Sequence, residues 1–529
     1  MPFDSWQDDM AEVAQKTQKK GLLGSLFTIS ALTLVSRILG LIRDMVFASF
    51  FGATAMMDAF NVAFRIPNLF RRFFGEGAFN QSFVPVFSEY YEKKRDQLPL
   101  FIAEVSGSLG IVLLGITILG IFFAPELVLV FASGFKSDPE KFALTADLVR
   151  IMIPYVFLIC MLAMYSSVLN SFDRFALPAL LPSLLNIALI IGAFLSVQFL
   201  QVPILGLGYA VIIAGVIQCF IVMHSVRQQK LLTHMPRVAF GAPGVKQVIV
   251  LMIPALIGSS SSQINILINT QLASRLETGS VTWLYYSDRL VEFALGTVAV
   301  ALGTVVLPKL SRLSASNDHE GFEKTVNWGI RLALVLGIPS SIGLILLAEP
   351  LLALLFMRGA FTYSDVLMSA KSLVTYGTSI AAYFLIKILA PVYYSRQDTK
   401  TPLKFGLVSI AVNIVLQFIL VKYYAHAGLA LSTSIAAWVN ALLLMLGLHY
   451  LGIYHIGKLL TGKLWVVIPA NILLAGFLYW VCQYGDFWIH SSLWLRLVGL
   501  LGVVTVSVIG YFVCLHVLGF SLKQFRKVS

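Results

Sequence analysis

The sequence predicts an all-α polytopic membrane protein with about fourteen transmembrane helices. Three observations indicate this fold class. Of 529 residues, 58% are hydrophobic and 12% are charged, and the mean hydropathy is +0.85. The apolar segments are long enough to cross a bilayer, which takes roughly 20 residues. Short motifs also recur in both halves at a nearly constant separation, which predicts two pseudo-symmetric six-helix lobes plus two C-terminal helices.

The apolar segments of spanning length follow a polar tail, residues 1–22. They are residues 24–50, 58–90, 102–132, 143–170, 177–199, 204–226, 247–274, 281–308, 325–348, 366–394, 402–421, 428–450, 463–483 and 492–518. Every second connection between them is basic. Because positively charged loops remain in the cytoplasm, both termini are predicted to be cytoplasmic, which requires an even number of spans.

Charge and motif content exclude several function classes. The net charge of +12 is explained by the basic connections, so no nucleic acid partner is predicted. The chain has no phosphate-binding glycine loop, zinc-protease motif or nucleophile elbow, which argues against an enzyme. The four cysteines lack metal-ligand spacing and are interpreted as packing residues. We therefore expect neither a cofactor nor a metal site.

An internal repeat sets the domain organisation. The matched prolines are Pro85 and Pro308, Pro125 and Pro350, and Pro178 and Pro402, at separations of 308 − 85 = 223, 350 − 125 = 225 and 402 − 178 = 224. The predicted domains are the tail 1–22, the N-lobe 23–226, a cytoplasmic linker 227–246, the C-lobe 247–452 and the C-terminal helices 453–529. Since six spans is an even number, both lobes are expected to have the same orientation in the membrane.

Charged side chains inside the apolar segments mark the candidate site. They recur at helical spacing in two segments of the first half and are joined by cations of the second half. The cations are Arg37, Arg43, Arg65, Arg71, Arg72, Arg289 and Lys387, and the acids are Asp44, Asp58, Glu76, Asp288 and Glu292. A charge at the bilayer centre costs roughly 3 kcal/mol, so several together indicate a protein-lined or watery cavity. The excess of arginine predicts an anionic, phosphate-bearing ligand.

Internal ion pairing is the alternative interpretation of these charges. Arg43 could pair with Asp44 or Asp58, and Arg289 could pair with Asp288 or Glu292. Pairing explains any single charge well, but it leaves a surplus of positive charge. The sequence alone keeps both interpretations open for each pair.

Four motifs together carry a resemblance to a known family. They are Ser36-Arg37-x-Leu39-Gly40-x-x-Arg43-Asp44, Pro67-Asn68-Leu69-x-Arg71-Arg72-x-x-x-Glu76-Gly77-Ala78-Phe79, Tyr285-Tyr286-x-Asp288-Arg289-Leu290 and Tyr394-Ser395-Arg396-Gln397-Asp398-x-Lys400-Thr401-Pro402. With them the sequence closely resembles the MurJ (MviN) family of lipid II flippases, in the MOP exporter superfamily. The resemblance extends from about Leu23 to the C-terminus.

The resemblance implies a V-shaped, MATE-like arrangement of two lobes with a central cationic cavity, and a groove beside the last two helices for a polyprenyl tail. It implies a flippase that moves lipid II from the cytoplasmic to the periplasmic leaflet by alternating access, for peptidoglycan synthesis in the bacterial inner membrane. The expected substrate-binding residues are Arg37, Arg43, Asp58, Asn68, Arg71, Glu76, Thr282, Asp288, Arg289 and Lys387.

Several expectations follow from this interpretation. The partners are lipid II and the phospholipid bilayer, with cell-wall synthesis enzymes as further candidates. Some family members bind sodium through acidic residues, but segments 247–274, 402–421 and 428–450 contain no Asp or Glu, so no sodium site is predicted. The coupling ion stays open, and the membrane potential is a candidate energy source. The alternatives are a flippase for another lipid-linked oligosaccharide and a MATE-like drug or cation antiporter.

Overall fold

The computed structural model describes residues 31–75, 78–172, 174–454 and 464–520. Every regular element in these ranges is a helix. Helix α1 covers residues 31–51 of the described part. The remaining helices are α2 (Ala55–Gly75), α3 (Ala78–Lys93), α4 (Leu98–Phe122), α5 (Ala124–Ala132), α6 (Pro139–Met152), α7 (Pro154–Asn170), α8 (Ala176–Phe199), α9 (Ile204–Gln228), α10 (Pro243–Ala273), α11 (Ser280–Ala315), α12 (His319–Leu346), α13 (Ala348–Phe356), α14 (Tyr363–Gly377), α15 (Ile380–Tyr394), α16 (Lys400–Tyr450), α17 (Val467–Cys482), α18 (Gly485–His490) and α19 (Leu493–Val517).

Nine helical stretches of the described chain are long and apolar enough to cross a membrane. They are Arg95–Phe122, Pro139–Asn170, Ala176–Phe199, Ile204–Gln228, His319–Leu346, Tyr363–Tyr394, Lys400–Tyr450, Leu464–Cys482 and Leu493–Val517. The predicted all-α membrane fold class is therefore confirmed, while the number of fourteen spans stays a prediction. The tail 1–22 lies outside the described residues.

The internal repeat is visible in the order and lengths of the helices. Helices α5 and α13 both have nine residues and carry a proline in their first turn, a position that proline favours because its missing N–H is not needed there. Corresponding elements are separated by a constant offset: 348 − 124 = 224 for the starts of α5 and α13, 363 − 139 = 224 for α6 and α14, 394 − 170 = 224 for the ends of α7 and α15, and 400 − 176 = 224 for the starts of α8 and α16.

Two of the predicted apolar segments each contain two helices in the structure. The predicted segment 102–132 contains two helices, because the spanning helix ends at Phe122 and α5 begins at Ala124. The segment 58–90 likewise contains α2 and α3. Hydropathy could not separate α5 from α4, since the two helices are similarly apolar.

Helix α16 contains two spans. Its 51 residues would extend about 76 Å at 1.5 Å per residue, more than twice the roughly 30 Å hydrocarbon core. The backbone breaks at Ala425, with φ 48° and ψ −130°. A Cβ atom on Gly428 would lie 2.2 Å from the carbonyl oxygen of Leu420. The chain therefore folds back at this point, between the predicted segments 402–421 and 428–450.

The described chain forms two compact units. Unit 1 comprises residues up to Phe47, Ala59–Val130 and Asp138–Gln263, and unit 2 comprises Ala48–Asp58, Phe131–Ser137 and the residues from Ile264 onward. In unit 1, α9 packs against α7 and α8. In unit 2, α11 and α12 pack against α15, α17 packs on α12, and α19 packs on α17. The cluster that joins α12, α17 and α19 is apolar and includes Val335, Leu474 and Leu515.

The connection between α9 and α10 is held along α4 within unit 1. The backbone N–H of Arg237 donates to the carbonyl of Ala103 at 3.0 Å, and the Arg237 guanidinium forms an ion pair with Glu104. The N–H of Ala239 donates to the Ser108 hydroxyl at 2.9 Å. Gly107 allows this approach, since a Cβ there would lie 2.3 Å from the carbonyl oxygen of Arg237.

We expect Gly107→Ala to displace this connection from α4 and lower the free energy of unfolding by about 1–3 kcal/mol. The measurement is thermal unfolding of the purified protein in detergent. Gly115→Ala is the matched control, because Gly115 lies in the same helix and a Cβ there meets no atom within 4 Å. Equal melting temperatures for both variants would contradict the packing role of Gly107.

Candidate functional site

Arg43 on α1 is a buried cation whose hydrogen-bond partners include Asp44 and Asn186. Its side chain is largely enclosed, with 7% exposure. The guanidinium donates to Asp44 Oδ1 from Nε at 3.0 Å and from Nη2 at 2.6 Å. It also lies over the Phe47 ring, 5.7 Å from its centroid. The ion pair with Asp44 matches the pairing alternative raised from the sequence, so the surplus positive charge of the site lies elsewhere.

Asn186 is the second partner of Arg43 and was missed by sequence analysis. Its Oδ1 accepts from Arg43 Nη1 at 3.0 Å, and its Nδ2 donates to the carbonyl of Ser36 at 3.1 Å. Asn186 lies on α8, 143 residues away in the chain, and is itself buried. A single asparagine in an apolar segment carries no motif, so only the tertiary structure shows that it links α8 to α1 and fixes the direction of Arg43.

Other predicted cations of unit 1 are more accessible. Arg37 is exposed on α1, six residues before Arg43. Arg71 on α2 is half-buried and donates from Nε to Asn68 Oδ1 at 3.3 Å. Asn68 in turn donates to the carbonyl of Phe64 at 3.0 Å. The predicted site residue Glu76 lies outside the described residues.

Asp58 caps the N-terminus of α11. Its Oδ2 accepts from the N–H of Gly279 at 2.8 Å. Its Oδ1 accepts from the N–H of Thr282 at 3.0 Å and from the Thr282 hydroxyl at 2.7 Å. Both side chains are fully buried. The first N–H groups of a helix lack partners within it and favour a negative charge, so this carboxylate stabilises the start of α11 from a distant part of the chain.

Gly279 allows this tertiary cap to form. Its φ of 99° lies in the left-handed region, which glycine adopts without steric cost. A Cβ atom at this position would lie 2.9 Å from the carbonyl oxygen of Ala53. The predicted pair Asp58 and Thr282 is therefore brought together, but as a buried cap without an exposed ligand surface in this structure.

Unit 2 also presents accessible charges on two packed helices. Asp288 is exposed and Arg289 is half-buried on α11, and Lys387 is exposed on α15. Helix α11 packs against α15. The Arg289 guanidinium donates to Glu292 Oε2 at 2.9 Å and lies 4.9 Å from the centroid of the Tyr285 ring. Of these, Arg289 and Lys387 are cations that a ligand can reach.

Neutral amides join α10 to α16 in unit 2. Asn265 Oδ1 accepts from Asn413 Nδ2 at 3.0 Å and from Gln417 Nε2 at 3.3 Å. These are segments for which the sequence predicts no sodium site. Within the described chain, no three His, Cys, Asp or Glu side chains form a group that could hold a metal ion.

Taken together, the site residues are of two kinds. Arg43, Asp58 and Thr282 are buried and hydrogen bonded, whereas Arg37, Arg289 and Lys387 reach the surface of their helices. Accessible cations on the helices of a repeated, mostly apolar helical fold are typical of a carrier for anionic substrates. The fold and the side chains thus define a polytopic membrane transporter.

Comparisons with known proteins agree with this class and specify the family. Residues 47–499 match the family model described as lipid II flippase MurJ. The chain is 40% identical to the probable lipid II flippase MurJ of Vibrio cholerae, with 97% of this chain and 99% of the relative covered. It is 38% identical to the lipid II flippase MurJ of Burkholderia cenocepacia, over 96% and 99%. The chain belongs to the MurJ lipid II flippase family.

Solved structures of a MurJ flippase and of a MATE family transporter are also similar to this chain. A lipid II flippase MurJ in an inward closed conformation matches with a TM-score of 0.77 and 29% identity, covering 92% of this chain and 97% of that chain. An inward-facing multidrug resistance MATE family transporter of the MOP superfamily matches with a TM-score of 0.64 and 14% identity, over 81% and 98%. The second likeness shows a shared fold alone. The fold and family predicted from the sequence motifs are confirmed.

Replacing Asn186 should remove the buried hydrogen bond that its Oδ1 accepts from Arg43 Nη1. We expect Asn186→Leu to lower the free energy of unfolding by about 1–3 kcal/mol, measured by thermal unfolding in detergent. Asn68→Ala is the control, because the half-buried Asn68 bonds within its own helix. If Asn186→Leu melts at the wild-type temperature, Asn186 does not hold Arg43.

Removing the charge of Asp58 should weaken the start of α11. Asp58→Asn replaces one acceptor oxygen by a donor that faces N–H groups, so we expect a loss of about 1–3 kcal/mol in unfolding free energy. Asp318→Asn is the matched control, since Asp318 caps α12 through the N–H of Gly321 at an exposed position, where asparagine caps equally well. A loss of the same size in both variants would contradict a special role of the buried cap.

Proposed function

We propose that this protein is a flippase for lipid II, the undecaprenyl-pyrophosphate-linked peptidoglycan precursor. The observation that carries the proposal is the set of accessible cations Arg37 on α1, Arg289 on α11 and Lys387 on α15 in a member of the MurJ family. A pyrophosphate carries the double negative charge that paired guanidinium groups bind well. The function requires no covalent chemistry, only binding, reorientation and release.

The proposal assigns different roles to the candidate site residues. Arg37 and Arg289 contact the pyrophosphate, with Lys387 and Arg71 adding positive charge. Arg43 adds a positive charge in a fixed position, because Asp44 and Asn186 hold its guanidinium. Asp288, Asn68 and Glu76 complete the proposed substrate-binding set. Asp58 and Thr282 act indirectly through the N-terminus of α11.

Transport proceeds by alternating access in this proposal, from the cytoplasmic to the periplasmic leaflet of the bacterial inner membrane. The basic connections assign both termini to the cytoplasm. Each negative charge that moves outward through a potential of about 100 mV gains roughly 2.3 kcal/mol. The membrane potential therefore supplies driving force without hydrolysis of a nucleotide. The exposed product serves peptidoglycan synthesis, and cell-wall synthesis enzymes are candidate partners.

An apolar cavity of about 290 Å³ is a place for part of the polyprenyl tail. Its lining is almost entirely apolar and comes from α12 and α17: Ile338, Ile342, Val467, Ile468, Asn471, Ile472 and Ala475. Many neighbouring side chains of α17 and α19 are also exposed and apolar, including Leu473 and Val498. We propose that the two C-terminal helices keep the hydrocarbon tail in lipid while the head group moves.

Arg37→Ala and Arg289→Ala should abolish complementation in cells depleted of the native protein, while protein levels and melting temperature stay unchanged. Purified variants should also bind lipid II at least about tenfold more weakly, since each loses a charge-assisted contact. Lys324→Ala is the control, because Lys324 is an exposed cation paired with Glu320. Full complementation by Arg289→Ala would count against the proposed role of this cation.

A flippase for another lipid-linked oligosaccharide shares the pyrophosphate and therefore the same cations. The binding measurement separates the two when another undecaprenyl-pyrophosphate-linked glycan is compared with lipid II. Preference for the other glycan in both binding and complementation would overturn the proposed substrate.

A further inference from the structure

Two arginines outside the proposed substrate site converge on the end of α13. Arg358 Nη2 donates to the carbonyl of Leu354 at 2.7 Å. Arg496, at the start of α19, donates from Nη1 to the neighbouring carbonyl of Ala353 at 3.5 Å. It also donates to the carbonyls of Ser491 and Ile489. Two positive charges therefore meet at one helix C-terminus.

Capping explains only part of this arrangement. The last carbonyls of a helix lack partners and favour a positive charge, and one arginine would suffice for that. A guanidinium has five N–H donors, of which Arg358 uses one in the contact with Leu354. Burial, and after it the positive charge of Arg496, lower the pKa of Arg358, the direction expected when two like charges lie near each other.

The positive charges of the two arginines are also not balanced by a nearby carboxylate in the described part of the chain. Neither forms an ion pair with a carboxylate of the described residues. Both arginines lie at the helix ends that face away from the basic connections. Helix α12 begins near the basic segment 309–324, and Arg358 follows its far end and the short helix α13. Arg496 lies near the start of α19, whose other end leads to the basic C-terminal tail. In the proposed orientation this is the periplasmic side, where uncompensated arginines are uncommon.

The ends of α17 and α19 carry the aromatic side chains that are typical of a membrane interface. Trp480, Tyr484 and Trp494 are exposed near the ends of α17 and α19, and such aromatic rings concentrate at head-group level. From Leu495 onward, α19 presents exposed apolar side chains at Leu495, Val498 and Leu501. A lipid with its polar group at the arginines would therefore find an apolar helix surface for its chain.

We propose that Arg358 and Arg496 bind the phosphate group of a lipid in the periplasmic leaflet. An anion between them relieves their repulsion and uses the remaining N–H donors, and a phosphate matches the fork of a guanidinium. Its source is either a phospholipid head group or the pyrophosphate of the translocated lipid. The leaflet assignment rests on the orientation in the proposed function, whereas the binding of phosphate does not.

The test is native mass spectrometry of the purified full-length protein with defined lipids added in detergent. The probes are phosphatidylglycerol with diacylglycerol as its neutral match, and undecaprenyl pyrophosphate with undecaprenol as its neutral match. Undecaprenyl pyrophosphate is measured in an Arg289→Ala background, so that the proposed substrate site contributes less to the binding. The variants are Arg358→Gln and, as control, Arg150→Gln, which removes an exposed arginine paired with Asp147.

We expect Arg358→Gln to weaken the binding of at least one phosphate-bearing lipid about tenfold, with the neutral lipids and the control unchanged. Weakening of both phosphate lipids identifies a general phospholipid site, and weakening of undecaprenyl pyrophosphate alone identifies a product site. Unchanged binding of both, or equal loss of the neutral lipids, overturns the proposal.

A second variant covers the case that Arg358→Gln does not fold. Met357→Glu keeps both arginines but places a carboxylate beside them, so it should reduce phosphate-lipid binding in the same way. Binding at wild-type strength by a folded Met357→Glu protein would overturn the proposal independently. Neither variant touches the proposed substrate-binding residues, so complementation separates a failure of this inference from a failure of the proposed function.

Discussion

The cost of placing a charge in hydrocarbon governs the arrangement of this protein. Each ionised side chain on a spanning helix must be paired, hydrogen bonded or directed to water. Arg43 meets this requirement through Asp44 and Asn186, and Asp58 meets it through the N-terminus of α11. Arg37 and Lys387 remain at the surface of their helices. This division separates charges that hold the structure from charges that are available for an anionic substrate.

The repeated helical frame supplies positions for both kinds of charge. Elements of the two halves correspond at a constant offset of 224 residues, yet the side chains at corresponding positions differ. Segments 48–58 and 131–137 of the first half belong to unit 2, where Asp58 caps α11. A carboxylate from the first half of the chain thus determines how a helix of the second half begins. The hydrogen bonds of Asp58 link any movement of its segment to the start of the helix that carries Arg289.

Much of this architecture could be predicted from sequence because it depends on local composition. Hydropathy identified the apolar segments, and the prolines revealed the repeat. The tertiary partners could not be predicted. Asn186 lies in an apolar segment without any motif, and its contact with Arg43 bridges 143 residues. The charge of Asp58 was recognised, but its target required the backbone N–H groups of a distant helix. The short helix α5 was merged with the span before it because the two are similarly apolar, whereas α13 lies almost entirely between the predicted segments 325–348 and 366–394 and was not predicted.

The most direct test of the central claim is the leaflet accessibility of lipid II in living cells. Cells depleted of this protein are treated with an external enzyme that cleaves only lipid II exposed on the periplasmic side. If the protein flips lipid II, depletion abolishes cleavage, and the wild-type chain restores it whereas the Arg37→Ala chain does not. Unchanged cleavage in depleted cells that carry no second flippase would contradict the account.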